Sequence, residues 1–234
     1  MLGPKNSGKR GLYFIRCLNI TKQKAGLFID ASNFYHSMKE ENDTPFDADQ
    51  YAQLVKELGT FFDLSKIYFY DSIKDISRDP MGYAGQQRFH ERLKKAVPKI
   101  TLRTRPLRYV LSITQEKAKQ AAKDVNLPAN LNDKLYLFLK KVGVVKLTRE
   151  KGLDVLLAVD MVQAHKKEGL EVLIILSGDS DFVPAVQLAR QEGATVVNLH
   201  AFAGSSKELR DTCNEHIKIV VDITGKPTLT RYTP

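Results

Sequence analysis

Short runs of apolar residues without polar alternation recur along the chain, and stretches with helical spacing lie between them. The runs cover residues 26–29, 67–70, 172–176 and 194–199, and the helical stretches include 51–62, 82–97 and 181–191. A strand with apolar side chains on both faces must be covered on both faces. A strand–helix–strand rhythm is how a chain builds parallel pairs. The expected architecture is therefore α/β, a three-layer α/β/α sandwich around a mainly parallel central sheet. Further strands are expected at 100–109, near 142–147 and at 217–221. At 234 residues with 43% hydrophobic content the chain can bury one sizeable core, with room for an insertion.

Breaks in this rhythm suggest the domain limits. Residues 1–24 read as a basic N-terminal extension, 25–223 as the folded domain and 224–234, with Gly225, Pro227 and Pro234, as a loosely attached tail. Within the domain, 111–142 reads as a helical insertion. It carries helical patterns at 114–124 and 132–141, separated by Asn126-Leu127-Pro128, which breaks a helix. Leu135, Tyr136, Leu139 and Val142 give the second helix an apolar face toward the body or toward a partner subunit in a homodimer.

The net charge of +9 is uneven. Residues 1–24 carry Lys5, Lys9, Arg10, Arg16, Lys22 and Lys24 and no acid. Between Arg88 and Arg108 eight basic residues face the single acid Glu91. Such surfaces suit a polyanion, although each basic stretch alone reads equally well as a solvated face. No run of eighteen apolar residues exists and charges interrupt the N-terminus, so neither a membrane span nor a signal peptide is expected. The two cysteines, Cys17 and Cys213, lack metal-site spacing, which fits a cytoplasmic protein without disulfides.

The chemistry concentrates in aspartates. Asp30 ends the first apolar run, while Asp179 and Asp181 follow the run that ends at Leu176. In a parallel sheet, strands that each lead into a helix release their loops at the same carboxyl edge, where ligands bind. Asp154, in the first turn of a helix over 153–165, can reach that rim. Pairs of carboxylates about 4 Å apart repel by roughly 4 kcal/mol at an effective dielectric near 20, so a cation or protons must compensate. Oxygen ligands without histidine or cysteine favour Mg²⁺ or Mn²⁺, which suits metal-assisted phosphodiester hydrolysis. For Asp179 or Asp181 alone, capping of the following helix is the plainer reading. Asp160, six residues after Asp154, lies roughly 9 Å further along the helix and about 120° around it, which favours a buried structural role.

Three segments carry a resemblance: Phe28-Ile29-Asp30-Ala31-Ser32-Asn33, Lys151-Gly152-Leu153-Asp154-Val155 and Leu176-Ser177-Gly178-Asp179-Ser180-Asp181-Phe182. Together they resemble the NYN/LabA-like branch of PIN-like ribonuclease domains, over about residues 25–223. The resemblance implies a PIN-like fold and metal-dependent cleavage of RNA. Endonuclease action is favoured because nothing in the sequence specifies an end-binding pocket, and the expected partner is single-stranded RNA. It makes Asp30 and Asp179 principal metal ligands, places Asp181 on the metal or a coordinated water and completes the acidic ring with Asp154. Asn33 would orient Asp30 or donate to a phosphate oxygen, and Ser177 matches a small hydroxyl residue near the metal. Lys151 and Ser206, the latter also an N-cap, are candidate phosphate contacts.

Other motifs carry less. Gly3-Pro4-Lys5-Asn6-Ser7-Gly8-Lys9-Arg10 imitates a phosphate loop, but Arg10 replaces the required hydroxyl residue and no strand precedes it. The five histidines show no metal-site spacing and read as surface or core residues. A phosphatase of the haloacid-dehalogenase type needs a second acid two residues after its nucleophile, where Ser32 follows Asp30. The competing functional class is a catalytically silent RNA-binding module with the same fold.

Overall fold

The computed structural model describes residues 22–111, 115–142, 146–149, 152–201 and 205–232. Its strands are β1 (Lys24–Asp30), β2 (Asp63–Ile73), β3 (Ile100–Pro106), β4 (Arg108–Leu111), β5 (Lys146–Arg149), β6 (Val172–Leu176), β7 (Thr195–His200), β8 (Glu215–Val221) and β9 (Pro227–Tyr232). Seven of them form one sheet in the order β3-β2-β1-β6-β7-β8-β9. Pairing within it is parallel except between β8 and β9.

The apolar runs divide their side chains between two cores, as strand geometry requires. From β1, Leu27 and Ile29 enter the core formed with α1 (Ala31–Asn42), α2 (Ala48–Phe61) and α3 (Pro80–Ala96), where Phe34, Leu54 and Leu93 are buried. Phe28 points the other way, into a core with Leu157 and Val186. These come from α6 (Leu153–Glu168) and α7 (Val183–Gln191), and the short α8 (Lys207–Thr212) adds Leu209. All five residues of β6 are buried. Each fully buried leucine, isoleucine or phenylalanine contributes about 1.5–3 kcal/mol, so both helical layers are needed to hold the sheet. The three-layer sandwich is thus the fold observed. No helix among the described residues is long and apolar enough to cross a membrane.

Strand order reverses at the centre of the sheet. From β1 the chain builds outward through β2 to β3, then crosses to β6 on the other side of β1 and builds outward again. The carboxyl ends of β1 and β6, neighbours through Ile29↔Leu176, therefore flank the switch point.

Two expectations change. The segment from Thr224 is not a loose tail: β9 pairs with β8 from Val221↔Pro227 to His216↔Tyr232, and Arg231 holds Glu215 through two hydrogen bonds of 2.6 and 2.8 Å. The strand expected at 100–109 divides into β3 in the sheet and β4, which pairs with β5 in a separate antiparallel ribbon. The helical insertion consists of α4 (Gln115–Asp124) and α5 (Asn132–Val142), packed on each other with Ala118 and Ala122 buried. On α5, Leu135, Tyr136 and Leu139 are half-buried, whereas Leu137 and Phe138 are exposed.

Candidate functional site

Asp30 is the last residue of β1 and the N-cap of α1, and its Oδ1 accepts the Asn33 N–H at 3.1 Å. Its Oδ2 accepts the Ser177 hydroxyl at 3.0 Å, and the side chain is largely buried. Ser177 Oγ also accepts the Asp179 N–H at 3.2 Å. One hydroxyl thus joins Asp30 to the start of the acidic loop after β6. Asn33 fastens the same junction, because its Oδ1 accepts the Gly178 N–H at 2.7 Å. Asp179 caps the 3-10 turn Ser180–Phe182 by accepting the Asp181 N–H at 3.0 Å. Capping therefore holds for Asp30 and Asp179 and fixes where their carboxylates stand.

Asp154 arrives from the other helical layer. Gly152, with φ +82°, turns the chain into α6 through the left-handed region that a β-carbon disfavours, and Asp154 falls in the first turn. The side chain reaches solvent at the rim. Partial burial first, and then the charges of Asp179 and Asp181, raise its carboxyl above the ordinary value. Asp154, Asp179 and Asp181 are consequently electrostatic neighbours, and the hydrogen bonds through Ser177 add Asp30.

The remaining candidates take unequal places. Ser177 is 1% exposed, which puts it beneath the rim, where it positions two carboxylate loops instead of touching substrate. Ser206 caps α8 by accepting the Leu209 N–H at 3.3 Å, and its own N–H reaches Gly178 O at 2.8 Å, so α8 begins beside the acidic loop. Lys151 lies outside the described residues. Asp160 has the structural role: its Oδ2 accepts the Tyr70 hydroxyl at 3.0 Å and pairs with Arg103 Nε at 3.4 Å.

Asn198 was missed by sequence reasoning. It is wholly buried in β7, and its Nδ2 donates to Ser177 O at 2.9 Å, holding the end of β6 from behind. Its signal was a lone amide inside the apolar run 194–199. His90 was also underread, since its Nε2 stands 2.7 Å from Asp71 Oδ2. His200 and His216, unremarkable in spacing, meet at 3.1 Å because β7 and β8 are adjacent.

Among the described residues no group of three or more His, Cys, Asp or Glu side chains is placed to hold a metal ion by itself. The donor set nevertheless fits a hard cation. Mg²⁺ takes one or two carboxylates and retains several waters, so it needs no all-protein cage. Burial is the larger cause of the upward shift of Asp154, and the charges of Asp179 and Asp181 add to it, a repulsion that a cation would relieve.

The basic run between Arg88 and Arg105 does not form one track. Arg103 is committed to Asp160 and to the face of the Tyr68 ring, while Lys94, Lys95 and Lys99 lie toward the amino edge of the sheet. Arg88 and Arg105 are the exposed members nearer the carboxyl edge. A cavity of about 800 Å³ also lies at the amino edge, lined by Lys22, Phe62, Leu64 and Val97, remote from the aspartates.

The family model of the NYN domain matches residues 24–220. A crystal structure of a protein of unknown function from Vibrio parahaemolyticus is similar in fold, with a TM-score of 0.55 and 17% identity, over 88% of this chain and 97% of that one. No curated protein matches the chain.

Proposed function

The chain belongs to the NYN domain family, whose PIN-like fold is of nuclease type, and from that premise we propose that it is a metal-dependent ribonuclease cutting single-stranded RNA endonucleolytically. The observation that supports the reading is the Ser177 hydroxyl, which joins the Asp30 carboxylate to the start of the Asp179 loop at the switch point of the sheet, with Asp154 within electrostatic reach of Asp179 and Asp181. Asp30 and Asp179 would be the principal ligands of Mg²⁺ or Mn²⁺, with Asp181 and Asp154 completing the ring. Bound there, the ion supplies a Lewis acid and a water of lowered pKa.

The chain's own residues supply position. The Asn33 N–H and the Ser177 hydroxyl hold the two oxygens of Asp30, so its orientation is set before any ligand arrives. The Asn33 side chain does the same for the 178–179 loop. Ser206 Oγ uses its acceptor capacity on Leu209 and can donate its proton to a phosphate oxygen, and Lys151 is proposed as a second phosphate contact. Arg88 and Arg105 would meet the RNA backbone near the carboxyl edge. Hydrolysis in line leaves a 5′-phosphate and a 3′-hydroxyl.

The test is cleavage of labelled single-stranded RNA in Mn²⁺ or Mg²⁺ by the wild type, Asp30→Asn and Asp179→Asn. Loss of cleavage in both variants supports the site, and equal cleavage removes it. Salt-sensitive RNA binding without any metal-dependent cleavage selects the silent binding module instead.

A further inference from the structure

A cavity of about 570 Å³ opens beside Asp30, on the α1–α3 face of the sheet. That volume lies within the ordinary range of small-molecule sites, roughly 300–1,000 Å³. α1 presents Ala31, Ser32, Tyr35 and His36 to it, the first two directly following Asp30. Tyr51, Phe69 and Phe89 also line it, with Tyr51 5.4 Å from Phe69 and 6.1 Å from Phe89 between ring centroids. Burial first, and then the charges of Asp71 and Asp30, raise the Tyr51 phenol above its ordinary value, which places both carboxylates near one ring.

The polar equipment of this cavity is selective. Asp71, which lines it, is fixed through Oδ2: Gln86 Nε2 donates at 2.8 Å and His90 Nε2 stands at 2.7 Å. Gln86 is itself locked, donating to Ser72 O at 2.8 Å and accepting the Lys74 N–H at 3.0 Å. Among the described residues Asp71 Oδ1 accepts no hydrogen bond. Lys74, the cation of the lining, is paired with Asp79 at 3.0 Å. What the cavity still offers is the Asp71 carboxylate oxygen and aromatic surface, with the buried, unpartnered Ser72 hydroxyl and the side chains of Ser32 and His36 beside them. A phosphate would be repelled by that acceptor, whereas the amino group of a base would satisfy it. Single-stranded RNA is read in this way, by stacking on aromatic side chains and hydrogen bonds to the Watson–Crick edge.

We propose that this cavity is a nucleobase subsite of the RNA substrate, taking an amino-bearing purine that stacks on Tyr35 and donates its amino group to Asp71 Oδ1. The subsite rests on the ribonuclease reading, since its position one strand from Asp30 puts the base beside the scissile region. Purines are preferred because the cavity is wide and aromatic surface rewards the larger ring. Uracil offers Asp71 only its N3–H, flanked by two carbonyl oxygens that the carboxylate repels, so it binds less well.

The experiment is RNA binding by the full chain without metal, using fluorescence anisotropy and uridine pentamers whose central base is adenine, guanine or uracil. Adenine or guanine at the centre tightens binding about tenfold over uracil. Tyr35 is 43% exposed, so Tyr35→Ala leaves the fold intact and weakens the purine pentamers about tenfold. Asp71→Asn reverses the preference, because donation from Gln86 holds the new amide oxygen in place and turns its NH₂ toward the base. Equal affinity for the three pentamers, or unchanged purine binding by Tyr35→Ala, overturns the subsite even if Asp71→Asn does not fold. Cleavage in Mn²⁺ is scored separately. Cleavage without base preference sinks the subsite and leaves the nuclease, whereas preference without cleavage does the reverse.

Discussion

Replacing Asp154 by asparagine isolates the charge crowding at the rim. The carboxyl of Asp154 is raised by partial burial and by Asp179 and Asp181. An acid with a raised folded pKa is destabilising when ionised. The penalty is absent below its unfolded value near 3.8 and sets in as pH rises through the folded value. At neutral pH and without metal, Asp154→Asn should therefore be more stable than the wild type. Because the side chain reaches solvent, each like-charge contact is screened, and the gain is about 1 kcal/mol at most. For a chain of this size that is roughly 2–4 °C in melting temperature. Calorimetry in chelator and low salt measures it. The gain should shrink in 1 M salt, where the Debye length is about 3 Å, and vanish below pH 3.8, where the wild-type carboxyl is protonated. Saturating Mn²⁺ should reverse the order, since the wild type binds the ion more tightly and gains more from it. A variant that melts at or below the wild type in chelator, or whose advantage ignores salt, would refute the claim that Asp154 faces Asp179 and Asp181 as charges.

Ser177→Ala removes the hydroxyl between Asp30 and Asp179; urea unfolding should show a loss of about 1.5–3 kcal/mol, and RNA cleavage should fall because Asp30 loses one of its donors. Gly152→Ala forces a β-carbon into the left-handed region, so a stability loss of about 1–2 kcal/mol should accompany weaker metal binding through the misplaced Asp154; unchanged Mn²⁺ affinity in calorimetric titration would separate the turn from the site. Asp160→Ala strips partners from Tyr70 and Arg103, and should cost about 1–3 kcal/mol in denaturant melts while RNA cleavage stays near wild type. Chelation should lower the melting temperature of protein purified with its ion, as scanning fluorimetry would detect, and an unmoved transition would argue against a tightly held metal.

Local pattern made much of this protein legible. Apolar runs without alternation announced strands covered on both faces, and β1, β6 and β7 are such strands. The acidic segments could be read because capping is a local event: Asp30 bonds to Asn33, and Asp179 to Asp181, within a few residues. Less was legible where a residue's meaning depends on a distant neighbour. The segment 227–232 buries only Pro227 fully, so it showed no strong periodicity, and its pairing with β8 comes largely from backbone hydrogen bonds and the Arg231–Glu215 pair. Asn198 and Ser177 looked like polar residues in or beside strands until β6 and β7 stood side by side.

Composition, periodicity and cap chemistry are properties of neighbouring residues, and from them alone came the α/β layering, the helix starts and the identity of the acidic residues. Strand order is a property of pairs far apart in the chain. Only packing put β1 against β6, because each strand is covered on both faces and its register is set by the partner beside it. That adjacency lets one serine hydroxyl span Asp30 and Asp179, and it leaves Asp71 on the next strand over to face a cavity of its own.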